Sequence, residues 1–179
     1  MGEAELERIQ KKISGIEAGL VALHSEFIDK MYPEFGLPIR PASTQVYVYP
    51  YGKNRGEITI NNEIIVYLDN NESQEDANAT LLHESGHYLH ALGNPKIKEK
   101  DLAEGGNGLS HLLVELVAEL SAIQFLERTA RTYPSTQVNY FKAAFDMHNI
   151  GKLLPLRDLS SKCAEEVAEI IREYQRRLL

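Results

Sequence analysis

Five residues near the middle of the chain, His83-Glu84-Ser85-Gly86-His87, have the types and spacing that metal chemistry requires. Residues four apart in an α-helix stand one turn apart on the same face, so both imidazoles can address one divalent ion. Glu84 projects beside that ion, where a carboxylate can polarise a bound water. With 6 histidines and 20 glutamates among 179 residues, such a string arises by chance only about 0.02 times. The alternative is a helix that merely carries two histidines, and the rest of the chain weighs against it.

A catalytic zinc takes three protein ligands and leaves one position open. A third histidine six residues beyond the second, following a glycine, is not present: position 93 is Gly93 and the glycine position is His90. A glutamate on a later helix is the other solution, and Leu113–Ala122 supplies two. At helical spacing His111, Glu115, Ala118, Glu119 and Ala122 share one face of a helix otherwise rich in leucine. Carboxylates on so apolar a helix are costly unless a cation pairs with them. Glu115 is the expected third ligand to one Zn²⁺ per chain, beside His83 and His87. Glu119, one turn on, is placed to accept a hydrogen bond from the distal nitrogen of a ligand histidine. The reverse assignment of the two glutamates, or both on a solvated face, are the alternatives. His111 either lines the site or substitutes as a ligand. His90 reads as a satisfied structural histidine and Cys163 as a small core residue. Tyr133, Tyr140 and His148 each read first as structural residues, with stabilisation of an oxyanion as the alternative.

These residues carry a family resemblance. His83-Glu84-x-x-His87, followed after 27 residues by Glu115-x-x-x-Glu119, resembles the gluzincin pattern; in thermolysin-like enzymes the second acid is Asp. Glu57–Leu89 is similar to the ImmA/IrrE-like metallopeptidases, and Glu115–Glu119 to the zincin domain of ArdC-type antirestriction proteins. The resemblance covers about residues 45–126. It implies a zincin-like α+β fold and a zinc-dependent peptidase with Glu84 as general base. Peptide deformylase shares the histidine motif but takes a metal-binding Cys upstream of it, whereas Cys163 lies downstream. The competing reading is a zinc-binding zincin-fold module, regulatory or antirestriction in type, that works through protein–protein contact.

Three kinds of element must position this chemistry. Residues 4–31 read as a long amphipathic helix, with Leu6, Ile9, Ile13, Ile16, Leu20, Leu23 and Phe27 at alternating spacings of three and four. Its seam either packs on the same chain or pairs two copies as a homodimer. After Pro33, Pro38 and Pro41 the period shortens. Thr44–Pro50, Glu57–Ile60 and Glu63–Asp69 are rich in Val, Ile, Tyr and Thr, which predicts a small antiparallel meander of three strands. Helices are expected over 74–92, capped by Ser73 or Asn71, and over 111–130, 136–148 and 160–178. Residues 93–110 are expected to be a charged, glycine-bearing loop that shapes or gates the cleft.

One domain is expected over 1–179, comprising the N-terminal helix (1–31), a metal-binding core (44–130) and C-terminal helices (131–179). Hydrophobic residues make up 43% and charged residues 25%, which excludes wholesale disorder. The net charge of −7 argues against a partner recognised by broad phosphate neutralisation, so no nucleic acid is expected. A single cysteine excludes an intrachain disulfide and any Cys-cluster metal site. No membrane-spanning run or secretory leader is read, which makes a cytoplasmic protein with a peptide or protein substrate the expectation.

Overall fold

A computed structural model describes residues 3–50, 55–68, 73–103, 108–132 and 155–160, together with 165, 166, 169, 172, 173 and 176. The expected helix over 136–148, most of that over 160–178, and Tyr133, Tyr140, His148 and Cys163 lie outside the described residues. The fold is α+β and mostly helical, with a small three-stranded sheet and a long N-terminal helix. Among the described residues, no helix is long and apolar enough to cross a membrane.

Helix α1 spans Glu3–Met31. Its seam is buried in its own chain from Ile16 onward, through Leu20, Phe27, Ile28 and Met31. A 3-10 turn at Tyr32–Phe35 follows, closed by Gly36 at φ 72°, a left-handed position that suits a residue without Cβ. Strands β1 (Val46–Pro50), β2 (Gly56–Ile58) and β3 (Ile64–Leu68) come next.

The sheet is mixed, and this corrects the expected antiparallel meander. Its order is β1-β3-β2, with β1 parallel and β2 antiparallel to β3. Val46 pairs with Ile64 and Val48 with Val66; Gly56 pairs with Val66 and Ile58 with Ile64. The reason is burial. Ile64, Val66 and Leu68 are all buried, so the most apolar strand takes the centre. The short Gly-Glu-Ile strand, half exposed, suits an edge. Residues 51–63 between β1 and β3 are long enough for a parallel crossover, and β2 lies within them.

Helix α2 spans Gln74–Gly93 and begins in a capping box. The Ser73 hydroxyl accepts the Asp76 N–H at 3.1 Å, and the Asp76 carboxylate accepts the Ser73 N–H at 3.0 Å. Residues 95–103, expected to be loop, instead form helix α3 (Pro95–Ala103). Pro95 opens it, where a missing N–H costs nothing, and Ile97 anchors it in the core. Helix α4 spans Leu109–Arg128, and a short helix α5 spans Leu156–Ser160.

Among the described residues, the buried apolar side chains form two clusters. One joins the end of α1 to α2, α3, α4 and α5 around Phe27, Leu89, Val117 and Phe125. The other joins the middle of α1 to β1, β3 and the start of α2 around Leu20, Ile64, Val66 and Leu81. Helix α2 contributes to both, which holds it rigidly between the sheet and α4.

Candidate metal centre

The two helices that bear the chemistry lie against each other with almost no spacing between backbones. A Cβ added to Gly86 would overlap Ser121 Oγ and stand 2.8 Å from Ala118 Cα and O. Only glycine allows this approach. The approach brings Glu115 and Glu119 of α4 within reach of His83 and His87 of α2. The variable position ahead of His87 therefore sets an interhelix distance, a role its spacing alone does not reveal.

Glu115 lies between the two imidazoles. Its Oε2 is 3.2 Å from His83 Nε2 and its Oε1 is 3.2 Å from His87 Nε2. The two Nε2 atoms stand 3.0 Å apart, with the rings nearly perpendicular at 86°. Glu119, fully buried, meets the other side of His83, with Oε2 3.0 Å from Nδ1. A carboxylate only accepts, so Nδ1 carries the proton and donates it to Glu119. In the neutral ring Nε2 is then a bare lone pair. It faces a second imidazole nitrogen and a carboxylate oxygen.

Three lone pairs converging on one point require a cation between them. In the metal-free chain a proton fills that role. Burial alone would lower the His83 pKa, but hydrogen bonds to Glu115 and Glu119 and the charge of Glu84 raise it to about 10. Burial likewise opposes ionisation of Glu115, yet hydrogen bonds from His83 and His87 hold its carboxyl well below the usual range. The donor set His83, His87 and Glu115, all within 4.8 Å of one another, could hold a metal ion. Two imidazoles and one carboxylate suit zinc, and a carboxylate behind a ligand histidine fixes its tautomer.

Glu84 is buried beside this triad. Burial pushes its carboxyl up, the neighbouring His87 and His83 partly offset this, and Glu115 and Glu57 push it further up. A carboxylate with raised proton affinity is suited to taking a proton from water near neutral pH. Strand β2 closes over it: a Cβ at Gly56 would stand 2.8 Å from Glu84 Cγ and Oε1. A cavity of about 300 Å³ opens here between β2, α2, α3 and α4, with Glu57, Glu84, His87, Asp101, His111 and Glu115 on its walls. A larger cavity, about 600 Å³, lies between α1, α2 and α4. It gathers no ligand set of this kind, so the smaller one is the candidate site.

His111 lines the cavity without joining the triad. Its Nε2 is 3.8 Å from Glu115 Oε1 and its Nδ1 is 3.3 Å from Asp101 Oδ1 of α3. His90 is buried beside the Phe35 ring, 6.5 Å between centroids.

A further histidine, which spacing does not single out, supports α2 from behind. His24 of α1 is buried, its Nδ1 2.8 Å from Ser85 Oγ. Ser85 donates its own proton to the Leu81 carbonyl at 2.7 Å, so His24 Nδ1–H is the donor. The Thr44 N–H donates to His24 Nε2 at 3.2 Å. Burial, and then the nearby Arg40 charge, lower the His24 pKa to about 4. Tyr88 completes this support: its ring meets His24 edge-on and its hydroxyl donates to the Ala42 carbonyl at 2.8 Å. The only sequence signal for His24 is a polar residue on the apolar seam of α1.

No family model matches the chain, and neither a curated protein nor a solved structure matches it.

Proposed function

We propose that this chain is a zinc-dependent peptidase of the gluzincin type, built on a zincin-like fold. One observation carries the reading. Three ligand lone pairs converge on a point beside a buried glutamate, in a cavity bounded by an edge strand. His83, His87 and Glu115 hold the ion. When bound, Zn²⁺ supplies a Lewis acid that polarises a carbonyl and acidifies water.

The chain's own residues do the rest. Glu119 keeps His83 in the Nδ1–H tautomer, with Nε2 turned to the ion. Glu84 takes a proton from the attacking water and delivers it to the departing amine. Strand β2 is the outer strand on the cavity side, so its free edge is available to pair with an extended peptide main chain. The buried Glu84 weighs against the alternative of a purely structural zinc module, which has no need for a base.

The test is to compare the wild type with Glu84→Gln and His83→Ala on a broad peptide library, with and without chelator. Glu84→Gln should retain stoichiometric zinc and lose about 10²-fold or more of the hydrolysis, the usual contribution of a general base. His83→Ala should lose stoichiometric zinc. Undiminished cleavage by Glu84→Gln, or full zinc in His83→Ala, would overturn the assignment.

A further inference from the structure

Four acidic side chains stand on the cavity walls. Glu57 stands on the β2 wall, Asp101 on the α3 wall, and Glu84 and Glu115 on the floor. Among the described residues lining the cavity there is no Lys or Arg. Lys100, one residue from Asp101 on α3, is instead paired with Glu165 at 2.9 Å. Glu84 and Glu115 are committed to the chemistry proposed above. Glu57 and Asp101 are not.

Neither carboxylate has a Lys or Arg of the cavity beside it, because none lines the cavity among the described residues. Glu57 is exposed, and its Oε1 accepts the Tyr67 hydroxyl at 2.7 Å, a neutral donor that orients the carboxylate and leaves its charge in place. Asp101 Oδ1 lies 3.3 Å from Nδ1 of His111, which shares the cavity. Glu57 and Asp101 thus add two acidic groups to Glu84 and Glu115 on the cavity walls. Low-dielectric walls strengthen their field at the mouth of a cleft.

We infer that the cavity selects peptides carrying an arginine or lysine close to the bond at the metal centre, with Glu57 and Asp101 as the specificity-determining residues. The inference rests on the peptidase reading for its site. Glu57 lies on the edge strand along which a main chain would pair, so it meets a side chain of the bound segment. Asp101 meets the segment from the opposite wall. An acidic side chain in the same place faces two carboxylates, and that repulsion contributes as much to selectivity as the attraction does.

The experiment measures binding separately from hydrolysis. Zinc-loaded Glu84→Gln chain is titrated into three end-blocked fluorescent peptides that differ only in a central Arg, Gln or Glu. Anisotropy should rank them Arg, Gln, Glu, with Arg over Glu by about tenfold at low salt. That size follows from two partly solvated ion pairs, and it should shrink as salt screens them. Adding Glu57→Gln, at an exposed position that does not threaten folding, should cut the ratio about threefold. Asp101→Asn should act in the same direction. Equal or tighter binding of the Glu peptide, a ratio unmoved in both variants, or no binding of any peptide would each refute the inference. The wild-type chain is then assayed for cleavage of the same peptides. Selective binding without chelator-sensitive cleavage leaves the selectivity standing and removes the peptidase reading. Cleavage indifferent to charge does the reverse.

Discussion

Acidification should destabilise this protein through His24 before it reaches the general carboxylate range. The buried ring accepts the Thr44 N–H at Nε2 and donates from Nδ1 to Ser85, so a proton added at Nε2 points at another N–H. The folded-state value of about 4 lies 2.5 units below the reference of 6.5. Because the folded state disfavours the charged ring, the contribution is fully present above pH 6.5 and is lost as the pH falls from there toward 4. At about 1.4 kcal/mol per unit, the full loss is about 3 kcal/mol, of which about 2 kcal/mol is gone by pH 5. The assay is urea unfolding of the wild type and of His24→Gln at pH 7.5 and pH 5.0, with chelator present so that proton-linked metal release does not enter. His24→Gln should be the less stable protein at pH 7.5, since it disturbs a buried site. Between the two pH values the wild type should lose about 2 kcal/mol more than the variant, because all other titrations are common to both. Equal losses in the two proteins would refute the reasoning and would mean that the His24 ring admits water or a second proton without cost.

Three further outcomes test the metal centre. Gly86→Ala inserts a methyl group between α2 and α4, so it should cost about 1–3 kcal/mol and weaken zinc binding although it touches no ligand; thermal denaturation and a zinc-competition titration check both. Glu119→Ala should bind zinc about 10–100-fold more weakly, whereas Glu115→Ala should lose it altogether; the opposite order in a metal-affinity assay would exchange the two roles. Zinc should displace about one proton at pH 7.5, because His83 is protonated in the metal-free chain up to a pKa of about 10; calorimetry in two buffers of different ionisation enthalpy would detect no difference if that were wrong.

Much of this architecture is local and was legible in the residue order. His83 and His87 share a face because an α-helix repeats every 3.6 residues, which needs no knowledge of the remaining chain. Ser73, one of the two caps that the residue order offers, starts α2 through reciprocal bonds with Asp76 three positions on, equally local. The three-and-four spacing of α1 marks Ile16, Leu20 and Phe27, which are buried, for the same reason.

What depended on partners distant in sequence was not legible. Strand order is a competition for the centre of the sheet. Ile64–Leu68 wins it through burial on a surface that α1 and α2 supply, so adjacent strands β1 and β2 do not pair. Among the described side chains of helix α3 the buried apolar anchor is Ile97, in a charged stretch, and periodicity cannot distinguish one anchor from a loop. The residue order suggests a division of labour between Glu115 and Glu119 but leaves its reverse open, because the choice waits on tertiary contact. Both occupy the same face of α4, and it is the close approach at Gly86 that sets Glu115 between the imidazoles and Glu119 behind His83. His24 and Asp101 reach the site only because α1 and α3 fold against α2 and α4. A helix's period specifies which of its own side chains stand together; which foreign side chains meet them is decided by burial across the whole domain.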